Sequence, residues 1–264
     1  MQALLGVKIA LIPQDPQTSL NPSRRIGDQL TDGLRLRAGM ARTEAREKAL
    51  NLLADVHIRD PQAVLHRYPH ELSGGMRQRV LIAQAFSLNP DVIIADEPTT
   101  ALDVTVQAQI LELIGEQRRE RNMSLVLVTH DLGVVAGHTD EIAVMYGGKL
   151  VEKAPTKRLF AAMKMPYTEA LISAIPPPNP RRRGRPMKLS GEVPSPSNPP
   201  SGCYFHPRCA YATDLCKVER PPLREITPGH FAACHYSEKL TLRGIDGPMA
   251  AIDGSSPAPT AAQA

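Results

Sequence analysis

At 264 residues, 42% of them hydrophobic, the chain is long enough to bury one full α/β core with room for an appendage. Its 31 Lys and Arg against 27 Asp and Glu leave a formal charge of +4 with the signs interleaved, so charge alone marks no nucleic-acid footprint. No run of about 18 apolar residues exists to span a bilayer, and residues 1–8 lack the charged start, long apolar centre and cleavage site of a signal peptide. The expectation is a cytoplasmic protein, in a compartment where disulfides are disfavoured.

In chain order, residues 8–13 read as a short buried strand ended by Pro13, and residues 15–21 as a turn-rich loop with a helix after it. Between Arg42 and Val56, the residues Ala45, Ala49, Leu52, Leu53 and Val56 recur at helical spacing with charges opposite, which predicts an amphipathic helix of a small helical subdomain. Ser73 is a good N-cap for a helix carried by residues 76–86 and ending near Asn89-Pro90. Residues 91–96 form an apolar run of strand length, residues 124–129 repeat its character, and residues 105–121 between them have helical periodicity. That is the strand-helix-strand crossover typical of a parallel sheet.

Residues 141–146 and 149–151 flank Gly147-Gly148 and read as a hairpin at the sheet's end. From Ile175 to Gly202 proline, serine, asparagine and arginine dominate, as in a linker. Its run Arg181-Arg182-Arg183-Gly184-Arg185 reads as solvated linker or a contact for anionic lipid in preference to a nucleic-acid site. All four cysteines fall between Cys203 and Cys234, and the last residues, rich in Ala, Pro, Ser and Gly, read as disordered. These shifts divide the chain into a domain over 1–175, a linker over 176–202, a four-Cys module over 203–236 and a tail over 237–264.

Asp96 closes an apolar strand, where a doubly wound sheet places catalytic groups, and Glu97 follows it. At such a place one carboxylate can hold a divalent cation and its neighbour can act as a general base polarising an attacking water. The plain alternative is a strand ending in an exposed acidic pair. Ser73-Gly74-Gly75 opens a helix, so free N–H groups and the positive dipole end can meet phosphate, with glycines allowing close approach; otherwise it is an ordinary Ser-capped helix. His130 follows the strand of residues 125–129, and a lone histidine is more often structural. The chain contains no G-x-x-x-x-G-K-[ST] phosphate loop.

Leu72-Ser73-Gly74-Gly75-Met76-Arg77-Gln78-Arg79, followed by Val92-Ile93-Ile94-Ala95-Asp96-Glu97-Pro98-Thr99-Thr100-Ala101-Leu102-Asp103, resembles the paired signature and Walker B motifs of ABC-type ATPases. Gln14 in Ile12-Pro13-Gln14-Asp15-Pro16 resembles the Q-loop glutamine, with Pro13 where an aromatic residue is often found; His130 resembles the switch histidine and Asp103 the D-loop aspartate. The resemblance implies an α/β fold: a P-loop (RecA-like) ABC ATPase domain with a helical signature subdomain, without its N-terminal Walker A region, and with a small Cys-containing C-terminal extension. It implies ATP and Mg²⁺ as ligands, with Glu97, His130 and Gln14 catalytic and Asp96 on Mg²⁺. Ser73, Gly74, Gly75, Gln78 and Asp103 would contact nucleotide across a head-to-tail dimer.

Gln14-Asp15-Pro16-Gln17-Thr18-Ser19-Leu20-Asn21-Pro22, the continuation Val104-Thr105-Val106-Gln107 and Pro166-Tyr167-Thr168-Glu169-Ala170-Leu171 resemble the dipeptide/oligopeptide importer ATPases, and the likeness runs from Lys8 to His235. Gly191-Glu192-Val193-Pro194-Ser195-Pro196 and Gly202-Cys203-Tyr204-Phe205-His206-Pro207-Arg208-Cys209 resemble that family's C-terminal extension. The implied function is import of peptides, or of a related cargo such as nickel or a glycoside. The implied partners are two membrane permease subunits, a second ABC ATPase subunit and a periplasmic peptide-binding protein, with no nucleic acid. The implied place is peripheral, on the cytoplasmic face of the bacterial inner membrane.

The spacing C-x5-C-x6-C-x17-C, in a reducing compartment and with little apolar core nearby, suggests a metal site at Cys203, Cys209, Cys216 and Cys234. A 4Fe-4S cluster, which some importers of this family carry here, tetrahedral Zn²⁺ and unligated structural cysteines stand as readings, with His206, His230 and His235 as alternative ligands. Without a phosphate loop the chain is not expected to form a complete ATP site alone, and the flank of residues 91–96 is expected to be an exposed, aggregation-prone edge. Two origins fit: an ATPase subunit whose start lies upstream of Met1, or a catalytically degenerate subunit or gene remnant that only completes a partner's ATP site. A soluble ABC protein of DNA repair or translation is disfavoured by the importer-like tail.

Overall fold

The computed structural model describes residues 4–100, 102–175, 187, 189–195 and 197–242. Contacts divide it into two units, 1–130 and 131–264.

In the first unit, the apolar runs pair in parallel as β1 (Ile9–Ile12), β2 (Val92–Asp96) and β3 (Ser124–Val128), in the order β1-β2-β3. Asp103 caps α6 (Val104–Arg121), which makes the crossover from β2 to β3 and ends at Asn122 in the left-handed region, φ 51°. The segment between β1 and β2 is helical: α1 (Pro16–Ser19), α2 (Ile26–Ala38), α3 (Arg42–Asp55), α4 (Pro61–His66) and α5 (Gly74–Phe86). The expected apolar face of α3 is buried, Ala45, Ala49, Leu52 and Leu53 included. It joins Ile82 and Phe86 of α5, Ile93 and Ala95 of β2 and Ile110 of α6 in one core.

β2 is hydrogen-bonded on both sides. This corrects the expectation of an exposed flank at residues 91–96: among the described residues the sheet's edges are β1 and β3. The sheet is also covered unevenly. Ala10, Ile12, Ile93 and Ala95 face the core, while the alternate residues Leu11, Ile94 and Val126 lie in one cross-strand row, with Leu11 56% and Val126 51% exposed. Parallel sheets are normally covered on both faces, so this row is an uncovered apolar face within the unit.

The second unit holds α7 (Leu132–Ala136), β4 (Glu141–Tyr146), β5 (Lys149–Pro155), α8 (Thr156–Ala162), α9 (Pro166–Ser173), α10 (Asp214–Val218), β6 (Arg224–Thr227) and β7 (His230–Ala232). The expected hairpin forms, turning on Gly147 and Gly148 with φ 54° and 73°, the two positive values a type I′ turn demands. It does not end the parallel sheet. Instead β4 and β5 build a separate antiparallel sheet of order β4-β5-β7-β6. The four-Cys segment thus supplies two strands to a sheet shared with residues 141–155, through Glu152↔Ala232 and Lys153↔Phe231. The boundaries drawn from composition do not coincide with the division after His130. The Arg181 to Arg185 run, residues 176–186 of the expected linker and residues 243–264 of the expected tail lie outside the described residues. Of the tail's described part, Leu240 and Leu242 pack against the second unit's core.

Candidate functional site

The carboxyl ends of three neighbouring parallel strands each deliver a polar residue: Gln14 two residues past β1, Asp96 and Glu97 at the end of β2, and His130 two residues past β3. Glu97 holds a positive φ of 44°, unusual for a residue with a Cβ, and its N–H donates to Val128 O at 2.8 Å. The segment Glu97-Pro98-Thr99-Thr100 then turns, closed by the Thr100 N–H donating to Glu97 O at 3.1 Å, with Pro98 at the position that favours its fixed φ. Gln107 Nε2 donates to Thr99 O and Leu102 O, both at 3.2 Å, which fastens the turn to α6.

These constraints aim one carboxylate at three donors. Glu97 Oε2 accepts from Gln14 Nε2 at 2.9 Å and from Thr100 Oγ1 at 2.8 Å, and His130 Nδ1 stands 3.0 Å from Oε1. The His130 contact first, then Thr100, holds the Glu97 carboxyl below its ordinary range, so it is ionised at neutral pH. His130 is 76% exposed and Glu97 23%, so the cluster is reachable from solvent. The three residues expected to be catalytic therefore meet on one carboxylate, next to half-buried Asp96. Thr100 was legible only as part of a motif; a hydroxyl three residues beyond the glutamate, across a proline turn, was the signal that it would reach back.

The signature residues lie on a different element. Ser73 Oγ accepts from the Met76 N–H at 3.3 Å and so caps α5, as expected. Gly74 lies against Leu102 and Gly75 against the start of α6: a Cβ built on Gly75 would be 3.1 Å from Val106 Cγ1, tight enough that the Val106 side chain would have to give way. Asp103 Oδ1 accepts from the Val106 N–H at 2.9 Å. Gln78 is placed otherwise than its expected nucleotide contact suggests, because it is 1% exposed and neither amide atom has a partner in the structure.

In the second unit the four thiols are free and all line one cavity of about 20 Å³ together with His206 and His235. Burial, reinforced by neighbouring thiols, pushes Cys203 and Cys234 up and Cys209 up to about 11. Four thiols are the right kind of donor for a soft metal group. Their arrangement is not a built site, however. Among the described residues no three His, Cys, Asp or Glu side chains are grouped to hold a metal ion, and the space suits about one water. The expected four-iron ligation is therefore not supported by this geometry. His230, an expected alternative ligand, is committed elsewhere: its Nε2 is 2.7 Å from Glu152 Oε1, with both side chains buried.

A profile of the ABC transporter family matches residues 2–100, and a profile of the oligopeptide/dipeptide transporter C-terminal region matches residues 151–216. The dipeptide transport ATP-binding protein DppD of Escherichia coli is 46% identical over 233 residues, 88% of this chain and 71% of that protein. The chain belongs to the ATP-binding proteins of the ABC transporter family. As a member of that family it is also 44% identical to the dipeptide transport ATP-binding protein DppF of Haemophilus influenzae over 235 residues, 89% of this chain and 71% of that one. Its fold likeness includes the ATP-binding cassette MJ0796, solved as a dimer bound to ADP and Pi, with a TM-score of 0.51 at 29% identity, covering 57% of this chain and 64% of that chain. The chain thus spans just under two thirds of the solved cassette and 71% of these curated relatives.

Proposed function

We propose that this chain is the energy-coupling ATP-binding subunit of a peptide importer, in which MgATP binding and hydrolysis drive uptake through two membrane permease subunits. The observation that carries the reading is the Glu97 carboxylate, fixed at the carboxyl end of β2 between Gln14, Thr100 and His130. An ionised, oriented carboxylate beside a second acidic group is what in-line attack of water on a γ-phosphate requires. Glu97 would polarise the water, Asp96 would hold the Mg²⁺ that comes with the nucleotide, and the exposed His130 would reach the γ-phosphate. Gln14 follows the nucleotide state through the same carboxylate.

These 264 residues contain no phosphate loop, so the grip on the β- and γ-phosphates comes from outside them. What they supply is the water-activating half of one site. Ser73, Gly74 and Gly75 at the start of α5 meet the ATP of a second ATPase subunit, with Asp103 between the two sites. Among the described residues no helix is long and apolar enough to cross a membrane, so association with the inner membrane runs through the permease subunits, and a periplasmic peptide-binding protein delivers the cargo. No step is assigned to the four cysteines.

The test is ATP hydrolysis by the assembled transporter purified from the cells that make it. Glu97→Gln should lower kcat by about 100-fold or more while nucleotide still binds, in line with removal of a general base. Hydrolysis at the wild-type rate in that variant would sink the assignment, and failure of peptides to stimulate the wild-type rate would sink the choice of cargo.

A further inference from the structure

Within the second unit lies a cavity of about 220 Å³, separate from the cluster at Glu97 and much larger than the one the thiols share. One side is a fixed aromatic wall. Tyr146 and Phe205 are buried and meet edge to face, with ring centroids 5.2 Å apart at 83°. Tyr204 stands beside the β4–β5 turn, and the missing Cβ of Gly147 makes its place: a Cβ there would be 3.1 Å from Tyr204 Cδ2. Pro221 and Pro222, whose φ angles are fixed by their rings, form part of the lining as well.

The charged residues of the lining carry one sign. Lys149 and Arg220 border the cavity, and among the described lining residues there is no Asp or Glu. The Arg220 guanidinium sits 4.2 Å from the centroid of the Tyr204 ring, which holds its planar fork in place before any ligand arrives. Roughly 150 Å³ suffices for a benzene-sized guest, so this space takes one ring and a short acid chain. A nucleoside triphosphate is too large for it, since pockets for ligands of even drug size run from about 300 Å³ upward.

We propose that this cavity is a ligand site for a small aromatic carboxylate, its ring against Tyr146, Tyr204 and Phe205 and its carboxylate on Arg220 and Lys149. The aromatic walls account for the ring, and the one-signed border accounts for the anion. Neither half belongs to ATP chemistry, which resides in the other unit. Cys203, Phe205, Met165 and Pro221 also line the cysteine cavity, so occupancy of one space fixes a wall of the other.

The probe is 3-phenylpropanoate, titrated calorimetrically into the full chain, with acetate and 3-phenylpropanamide as controls for each half of the ligand. Saturable binding at one site is expected, with a dissociation constant on the order of 1 mM or below. Both controls and the Arg220→Gln variant should bind at least about tenfold more weakly, because each lacks one side of a charge-assisted contact or the ring. Leu150→Phe, which brings a bulkier side chain to the lining and leaves both cations in the sequence, should weaken binding. The proposal is overturned if 3-phenylpropanoate does not saturate, if the neutral amide binds as well as the acid, or if folded Arg220→Gln and Leu150→Phe proteins bind as the wild type does.

Discussion

Two carboxylates, one in each unit, sit in opposite environments. In the first, Glu97 sits at the end of a parallel sheet, in reach of solvent, with donors on both carboxylate oxygens. In the second, Glu152 is fully buried inside an antiparallel sheet, where Oε1 meets His230 Nε2 at 2.7 Å and accepts from the Lys164 N–H at 2.5 Å, while Oε2 has no partner in the structure. The first arrangement is a carboxylate that can exchange its partners for a water and a phosphate. The second is a staple, since Glu152 lies on β5 and His230 on β7, and the pair ties the four-Cys segment to the hairpin. The carboxylate at a strand end is left open to solvent, whereas the one in mid-strand ties two strands together.

Breaking the staple should have the largest effect on stability. Glu152→Ala leaves His230 buried without its acceptor and the Lys164 N–H without a carboxylate, a loss on the order of 3–5 kcal/mol for a buried pair cut on one side. Chemical denaturation followed by circular dichroism reads it. Replacing both partners with Leu should recover much of the loss, because the cost lies mainly in the group left behind. Equal stability of wild type and Glu152→Ala would show that the pair does no structural work.

The two faces of the parallel sheet give a sharper contrast of smaller size. Ile93→Ala removes a side chain that is 1% exposed and should cost about 2–5 kcal/mol through a core cavity. Val126→Thr on the neighbouring strand, 51% exposed, should stay within about 0.5 kcal/mol. If Val126→Thr costs as much as Ile93→Ala, the row Leu11, Ile94 and Val126 is covered in solution by something that packs as tightly as a core.

How much of this was readable beforehand depended on the range of the interaction. β1, β2, β3, α3 and the capped start of α5 followed from runs and spacings of under twenty residues, where period and caps decide. Gln14, Glu97 and His130 were legible as motifs, but their meeting on one carboxylate needed the strand order β1-β2-β3. What could not be read was pairing across long separations. That β7 would join β5 rests on contacts some 80 residues apart, and composition between them signalled a linker. β2 was expected at an edge because its partner was thought absent, whereas β1 takes one side and β3 the other. Gln78 shows a further limit, because its motif position suggested a ligand contact and its place on α5 buried it.

The smallest effect concerns what keeps Glu97 ionised. Its carboxyl is held below the usual carboxylate range, near 4.5, by His130 first and Thr100 second. A carboxyl whose folded pKa is depressed favours the folded state above its unfolded pKa, and that contribution fades as pH falls through the lowered folded value. Removing the largest cause should move the titration upward. In His130→Ala, the Glu97 carboxyl carbon, followed by NMR in selectively labelled protein, should titrate closer to 4.5 than in the wild type. The stability difference between the two proteins should then be present near pH 7 and close as the solution becomes more acid than the wild-type Glu97 value. His130 is mostly exposed, so solvent screening keeps that difference small, and the titration is the better readout. An unchanged titration in His130→Ala would assign the hold on Glu97 to Thr100 and Gln14, and would leave the histidine free to serve the nucleotide alone.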